Sequence, residues 1–323
     1  MRRAVISWIA AFLIAVLAAG ASVVVLNATV FGAGGFVSVY LGALARGDVS
    51  DALSLPGVDT RGDTRGANAT LLQDGTLAGL SDIHQLSDTE RDGAHWVTMG
   101  WTSPHGSGTT TFEVRRIGTR FGLFPEWGFV ASPMATVSLT VRNDARFTVN
   151  GAQQVSPKPS DRPVDYAVLV PGSYTFGHRT ALLTAEPQSV VVDTVGEELS
   201  ARVQPQADAA FVTAVTAQVR RQLDGCAKQT VLFPTGCSFG QPIPNRVSGA
   251  PAWSIVSYPR IIIAPGAQYG TWAIPSTPGT AHLKVAVTSL LDGSTSTFDQ
   301  DVPFRLRATI TLGADDAITV VQQ

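Results

Sequence analysis

The hydrophobic and polar positions divide the chain into an apolar N-terminal run and a long remainder with two different periodicities. Residues Ala4–Leu26 form an uncharged run of 23 residues directly after Arg2 and Arg3. A helix of about 20 apolar residues crosses a bilayer, and its positively charged flank stays in the cytoplasm. The run therefore predicts that residues 1–30 are a cytoplasmic tip and a single-pass transmembrane anchor, and that the remaining chain is extracytoplasmic.

The same run also fits a signal peptide that is removed by cleavage. Ala19-Gly20-Ala21 would serve as the cleavage site, and the mature chain would begin at Ser22. The apolar part of a signal peptide is usually about 7–15 residues long, whereas this run continues to Leu26. We favour the anchor, which makes the lipid bilayer a partner of residues 4–26, and leave open whether the segment is ever cleaved.

Helical spacing follows the anchor and then gives way to alternation. Apolar residues recur at i, i+3, i+4, i+7 and i+8 from Phe36, which predicts a helix, and Val49–Leu55 predicts a second one. Asn68–Leu80 predicts a third helix, which Gly75 and Gly79 weaken. Alternating positions then predict four strands, at Ile83–Thr89, Trp96–Thr102, Thr109–Arg115 and Phe121–Val130.

Helices followed by a meander of long strands resemble the nuclear transport factor 2 superfamily, which includes ketosteroid isomerases and scytalone dehydratases. The resemblance covers residues 35–130 and is carried by the segments FVSVYLGALARGDVSDALSLPG, VTMGWTS, TFEVRRIG and FGLFPEWGF. It implies a cone-like domain, helices against an antiparallel sheet, with an apolar cavity. The cavity would be lined by Tyr40, Trp96, Trp101 and Trp127, with Glu113 as a polar group. The alternative is that these aromatic side chains simply fill the core.

Residues 131–200 predict a small all-β module. Asn150-Gly151 is a strong hairpin signal directly after the strand Arg146–Val149. The segments FTVNG and LVPGSYTF resemble PEGA-like modules, which act as spacers in envelope proteins, and an Ig-like module is the alternative. Further strands are predicted at Thr136–Val141, Tyr166–Val170, Ser173–Phe176 and Gln188–Thr194.

Residues 201–323 predict a second domain with a helix against an antiparallel sheet, so that the fold class is α+β. Gln204–Gly225 is the most regular helical segment, with an apolar stripe at Phe211, Val215, Val219 and Leu223. Strands are predicted at Ala252–Ile263, His282–Leu290, Thr297–Ala308, Thr309–Leu312 and Ile318–Val321. Cys226 and Cys237 are expected to form a disulfide outside the cytoplasm. An exposed binding surface is predicted at Trp253, Tyr258, Tyr269 and Trp272, and core packing of these rings is the alternative.

One anchor followed by a domain, a β module and a second domain is similar to single-pass envelope proteins related to the teicoplanin-resistance-associated membrane protein. Twenty arginines against three lysines, with abundant Ala, Gly and Val, indicate a GC-rich genome such as that of an actinobacterium. The net charge is −2 and no basic stripe is visible, so we predict no nucleic-acid partner.

Motifs of catalysis are scarce in the sequence. It contains no Ser-x-x-Lys and no glycine-rich phosphate loop, its single G-x-S-x-G match at Gly236–Gly240 includes Cys237 of the predicted disulfide, and its five histidines are scattered. We therefore predict no catalytic residue, no metal and no cofactor, and we interpret Arg61-Gly62-Asp63 as a solvated turn. The predicted function is non-catalytic binding of cell-envelope material, such as a cell-wall polymer, or of another membrane protein. The alternative is a small-ligand-binding or catalytic domain of ketosteroid-isomerase type in residues 35–130.

Overall fold

The computed structural model describes residues 2–59, 66–313 and 315–323. In the first helix, α1 (Arg2–Thr29), it describes the side chains of residues 8, 12–22, 24, 25 and 27. The Arg61-Gly62-Asp63 turn lies outside the described residues. The chain is a mixed α+β protein with few helices and mostly antiparallel sheets, which confirms the predicted fold class at this level. Among the described residues, no helix is both long enough and apolar enough to cross a membrane.

The first module packs a helix against a four-stranded antiparallel sheet with the order β1-β2-β3-β4. Its elements are α2 (Ala33–Arg46), α3 (Val49–Ser54), β1 (Ser81–Arg91), β2 (Ala94–Ser103), β3 (Gly106–Arg120) and β4 (Phe124–Phe129). Val97, Met99 and Trp101 alternate along β2 and are buried in one hydrophobic core with Tyr40 and Leu44 of α2. The predicted pattern of helix then meander is therefore present, with β1, β2 and β3 longer and β4 shorter than the alternation indicated.

The predicted third helix over Asn68–Leu80 is wrong, because this segment contains only a short 3-10 turn at Ala69–Leu71. Gly75 has a φ of 85°, which a helix does not allow. The hydroxyl oxygen of Thr76 lies 2.7 Å from the carbonyl oxygens of both Leu71 and Gln73. A side chain that bonds nearby backbone groups gives the backbone an alternative to helical bonding, so the segment folds into turns.

The middle module encloses one core between two sheets, with the orders β12-β10-β9-β6-β7 and β11-β5-β8. Its strands are β5 (Met134–Val141), β6 (Arg146–Val149), β7 (Ala152–Val155), β8 (Val164–Leu169), β9 (Gly172–Arg179), β10 (Leu183–Val192), β11 (Glu198–Val203) and β12 (Gln206–Ala207). Strand β11 runs parallel to β5 and buries Ala201 and Val203 in this core. The boundary predicted at residue 200 therefore falls inside a strand that the sequence pattern did not reveal.

The last module packs one helix against a six-stranded antiparallel sheet. Its elements are α4 (Ala209–Ala227), β13 (Arg246–Val247), β14 (Ala252–Ser257), β15 (Ala264–Pro265), β16 (Thr271–Thr288), β17 (Thr295–Leu312) and β18 (Ile318–Gln322). The side chain of Asp208 caps α4 by accepting a hydrogen bond from the backbone N–H of Phe211 at 2.8 Å. The predicted apolar stripe of α4 is buried from Phe211 to Leu223, and the helix continues past Gly225.

Apolar side chains cross both junctions between modules. Met134 and Leu169 of the middle module lie in the core of the first module. Leu182 and Leu183 lie in the core of the last module, although they belong to the start of β10 and the turn before it. Neighbouring modules thus complete each other's cores, and they do not meet only through polar surfaces.

Candidate functional site

Two aromatic residues of the predicted pocket, Tyr40 and Trp101, are buried in the core of the first module. The Tyr40 hydroxyl donates to the carbonyl of Val170 at 2.8 Å and lies 3.1 Å from the carbonyl of Pro133. Burial is the main cause that raises the pKa of Tyr40 well above its ordinary value, and Tyr174 adds to the effect. Tyr40 is therefore a neutral hydrogen-bond donor that connects α2 to the middle module.

Trp101 takes part in a second connection of the same kind. Its indole N–H donates to the hydroxyl of Thr110 at 2.9 Å, and that hydroxyl donates to the carbonyl of Asp193 at 2.7 Å. Asp193 directly follows β10 of the middle module. The polar groups of both buried aromatic side chains thus take part in hydrogen bonds that connect the first and middle modules.

The remaining predicted pocket residues do not join Tyr40 and Trp101 in one cavity. Trp96 and Glu113 are opposite each other in the β2–β3 register and face away from α2, with Trp96 41% exposed. Trp127 lies at the edge of the sheet, where its indole N–H donates to the carbonyl of Phe31 at 2.8 Å. The predicted set is therefore divided between the core, the outer face and one edge, because successive residues of a strand point to opposite faces.

Trp127 does line a groove, which lies at the C-terminal end of α1. The groove has a volume of about 440 Å³ and is mostly apolar, with Arg120 and Glu126 as its charged residues. Its apolar lining includes Val30, Phe31, Phe36, Val39, Leu55, Ile117 and Trp127. The β3–β4 turn continues from this groove and is tied to α1, since the side-chain amide of Asn27 donates to the carbonyl of Leu123 at 3.0 Å.

The sequence pattern predicted one strand over Phe121–Val130 and did not reveal this turn. In the structure, β3 extends to Arg120 and the chain reverses at Phe121 and Gly122, which both have positive φ. Phe121 is 82% exposed and Leu123 is 57% exposed. The glycine at 122 is the sequence signal that indicates a turn here.

The predicted binding surface of the last module is not brought together. Trp272 is 1% exposed and packs near Phe211, and Trp253 is buried with its indole N–H donating to the carbonyl of Val231 at 2.8 Å. These two rings are core residues, as the alternative reading held. Tyr269 is half-buried, and burial, followed by Asp144 and Asp161, raises its pKa to about 12.

Tyr258 is the exposed member of that predicted set. Its hydroxyl donates to the carboxylate of Asp224, and the guanidinium carbon of Arg220 lies 5.2 Å from its ring centroid. Both partners belong to α4. The ring is therefore held in one orientation on the surface, with its hydroxyl bound to Asp224 and the Arg220 guanidinium over the ring.

The disulfide is confirmed. Cys226 near the end of α4 is bonded to Cys237, and their Cα atoms lie 5.9 Å apart. The bond fixes the loop that follows the helix against the core, where Phe239 packs between Trp253 and Phe304. The cysteines thus stabilise the last module, and they are not free thiols.

A charged network joins the middle and last modules. The guanidinium of Arg146 contacts Asp144 at 2.8 Å and Asp316 at 2.9 Å. Hydrogen bonding to Asp144 is the main cause that raises the pKa of Arg146. Asn143 adds two bonds, because its side-chain amide donates to the carbonyl of Thr271 and accepts from the N–H of Gly270.

A second charged cluster lies on the β16–β17 hairpin. The ring nitrogens of His282 lie 2.8 Å from Asp301 and 2.8 Å from Asp299, and Lys284 contacts Asp299 at 3.0 Å. Hydrogen bonding to Asp301, then to Asp299, raises the pKa of His282 above its ordinary value. Within the described part of the chain, no group of three or more His, Cys, Asp or Glu side chains is arranged to hold a metal ion.

The groove with its turn and the oriented Tyr258 ring are thus two surface features that expose apolar or aromatic groups. Comparison with protein-family models, with curated proteins and with solved structures finds no match to this chain.

Proposed function

We propose that this chain is a single-pass protein of a bacterial cell envelope, with its N-terminus in the cytoplasm and its three modules outside. In this proposal it works by binding a cell-wall polymer or another membrane protein, and it is not an enzyme. The first module would be a nuclear-transport-factor-2-like domain and the middle module a PEGA-like spacer. The similarity to the teicoplanin-resistance-associated membrane protein family stays a prediction.

The observation that carries the proposal is the position of Tyr40. The side chain that would serve a ligand pocket has its hydroxyl taken up by Val170 and Pro133 of the next module. Its ring packs against Phe112 and Phe129 in the core of the first module. The interior of the first module therefore supports a fixed arrangement of modules, which suits a protein that presents a binding surface at a set position.

The ketosteroid-isomerase alternative has less support from the same residues. A catalytic acid or base needs a titratable group within hydrogen-bond reach of a bound substrate. Tyr40 is enclosed in the core of the first module. Glu113 lies on the face of the sheet that points away from this core. Turnover of a small substrate that is lost in both Tyr40→Phe and Glu113→Gln variants would nevertheless establish the enzyme.

The location is tested by labelling a pair of adjacent residues on β7. Gln153 is exposed and Gln154 is buried, so Gln153→Cys should react with a membrane-impermeant thiol reagent on intact cells and Gln154→Cys should not. The protein should also stay in the membrane fraction after a carbonate wash. Labelling of Gln153→Cys only after cell lysis would overturn the extracytoplasmic location, and a released chain that begins at Ser22 would replace the anchor by a cleaved signal peptide.

Binding is tested by a photo-cross-linking amino acid placed at Tyr258, with Lys158 of the middle module as the exposed control position. A defined adduct with cell-wall polymer or with one membrane protein at Tyr258, absent at Lys158, is the expected result. Equal adducts at both positions would contradict a specific surface at Tyr258.

A further inference from the structure

We propose that the tip of the β3–β4 hairpin, residues 117–124, inserts its apolar side chains into the interfacial region of an anionic lipid bilayer. The groove at the end of α1 would then lie against the bilayer surface. The inference rests on the proposed membrane anchor, and the experiment below separates failure of the one from failure of the other.

The backbone at Phe121 has a conformation that is unusual for its residue type. Phe121 and Gly122 have φ values of 54° and 66°, and the N–H of Leu123 donates to the carbonyl of Arg120 at 3.2 Å. Such a turn favours Asn, Asp or Gly at its first central position, and positive φ is unusual for a bulky residue. Phe121 is also 82% exposed, so that core packing does not explain it. Contact with something outside the chain accounts for both facts.

Several neighbours of Phe121 are also apolar and exposed. Leu123 at the tip and Ile117 on β3 are exposed, and so are Val30 and Val39. The groove is lined by Ile117, Val30 and Val39. Arg120 also lines it and directly precedes Phe121 at the tip. Apolar surface therefore continues from the groove to the end of the hairpin, and exposed apolar surface of this kind marks sites of contact with proteins or membranes.

Charge selects the bilayer as the partner. Residues 115–129 contain Arg115, Arg116 and Arg120 against a single acidic residue, Glu126. The guanidinium carbon of Arg120 lies 5.6 Å from the ring centroid of Phe121. Arginines beside exposed aromatic and aliphatic side chains are typical of segments that lie in the interface of anionic membranes, where the apolar groups enter and the cations meet headgroups.

The tip of the hairpin lies next to the end of α1. Asn27 ties the tip to the end of α1, and the rings of Phe31 and Phe124 lie 4.3 Å apart at the same place. If α1 is the anchor, then the chain leaves the bilayer within a few residues of these contacts. The tip is therefore located where lipid headgroups would lie.

A second hairpin of the same chain provides the matched control. The turn between β16 and β17 exposes Leu290 and Leu291, the latter at 97%, but its nearest charged residue is the acidic Asp292. It belongs to the last module, and none of its residues lines the groove at α1. An apolar tip alone is thus present in both hairpins, whereas the arginines and the contact with α1 belong to one.

The test uses the full chain in vesicles of phosphatidylcholine and phosphatidylglycerol, with one added cysteine that carries an environment-sensitive fluorophore. Cys226 and Cys237 are joined and do not take up the label. We expect spin-labelled lipids to quench the label at Leu123→Cys on the order of twofold or more relative to Leu291→Cys. Phe121→Asn is then added to the Leu123→Cys variant. Asparagine tolerates the positive φ at this position, so the chain should still fold while quenching at residue 123 decreases.

Each outcome decides one point. A chain that does not float with the vesicles would overturn both the anchor and the hairpin insertion. A chain that floats but shows equal, weak quenching at residues 123 and 291 would overturn the hairpin insertion and leave the anchor intact. Equal quenching in vesicles of phosphatidylcholine alone would overturn the preference for anionic lipid.

Discussion

Replacing Tyr40 by phenylalanine isolates the hydrogen bond that joins the first and middle modules. The Tyr40 side chain is wholly buried and phenylalanine keeps the ring, so the change opens no large cavity. The carbonyl of Pro133 keeps a partner, because it also accepts from the N–H of Val170 at 3.0 Å. The carbonyl of Val170 loses the Tyr40 donor at 2.8 Å. Leaving one buried acceptor without this donor costs about 1–3 kcal/mol of the free energy of unfolding.

Tyr174→Phe is the matched control for this prediction. Tyr174 is also wholly buried, and its hydroxyl donates to the carbonyl of Leu169 at 2.8 Å, but both residues belong to the middle module. We expect a similar loss of stability from Tyr174→Phe. Only Tyr40→Phe should increase hydrogen exchange at the junction between the first and middle modules, because only it removes a bond across that junction.

The assay is urea unfolding of the full chain, followed by tryptophan fluorescence and by hydrogen exchange. Trp101 reports on the first core, and Trp253 and Trp272 report on the last. A loss below about 0.5 kcal/mol for Tyr40→Phe would refute the reasoning, because it would mean that the buried bond contributes less than the usual net value.

The same residue predicts how stability depends on pH. Burial raises the pKa of Tyr40 above its ordinary value of 10.0, since the ionised form is disfavoured in the core. A raised pKa gives a contribution that is complete below the unfolded pKa and is lost as the pH rises toward the folded one. Stability should therefore fall above about pH 10 in the wild type and fall less steeply in Tyr40→Phe.

Three further predictions concern the last module. Reducing the bond between Cys226 and Cys237 should cost about 3 kcal/mol, from the entropy of a short closed loop, and thermal unfolding with and without reductant measures it. The raised pKa of His282 implies that its contribution to stability is complete below about pH 6.5 and is lost at higher pH, so His282→Gln should flatten the pH profile of unfolding there. Leu223→Ala in the buried stripe of α4 should cost about 2–5 kcal/mol, whereas Leu291→Ala at the exposed turn should change stability by less than about 0.5 kcal/mol in the same denaturant series.

Local patterns predicted the parts of the fold that depend on local physics. The stripe from Phe211 to Leu223 fixed the buried face of α4, and Asn150-Gly151 marked the β6–β7 turn. The parallel pairing of β11 with β5 was missed because it depends on residues some 60 positions apart, which no short pattern encodes. The same holds for the junctions, where the sequence could not show that Tyr40 reaches Val170.

The candidate site was predicted less well than the fold. Aromatic residues serve both cores and binding surfaces, so Trp253 and Trp272 could be assigned to either from composition alone. Tertiary packing placed them inside, and Tyr258 outside. The exposed tip at Phe121 was not predicted, because its apolar residues continue the alternation of β3. The turn at Gly122 exposes these residues without interrupting that alternation.

The placement of Leu182 and Leu183 in the core of the last module has a consequence for how the chain is made. During synthesis the middle module emerges before the last module. These two leucines therefore remain in water until α4 and the β16–β17 hairpin have been made and cover them. Over that interval the partly made chain exposes an apolar edge at the start of β10. Exposed apolar surface favours association with neighbouring chains or with a chaperone. A fragment that ends near residue 200 would keep this edge permanently, and one that begins there would lack two side chains of its own interior. Dissection of the protein into soluble pieces should therefore keep the middle and last modules in one fragment, because β10 and β11 complete the middle core while Leu182 and Leu183 complete the last one.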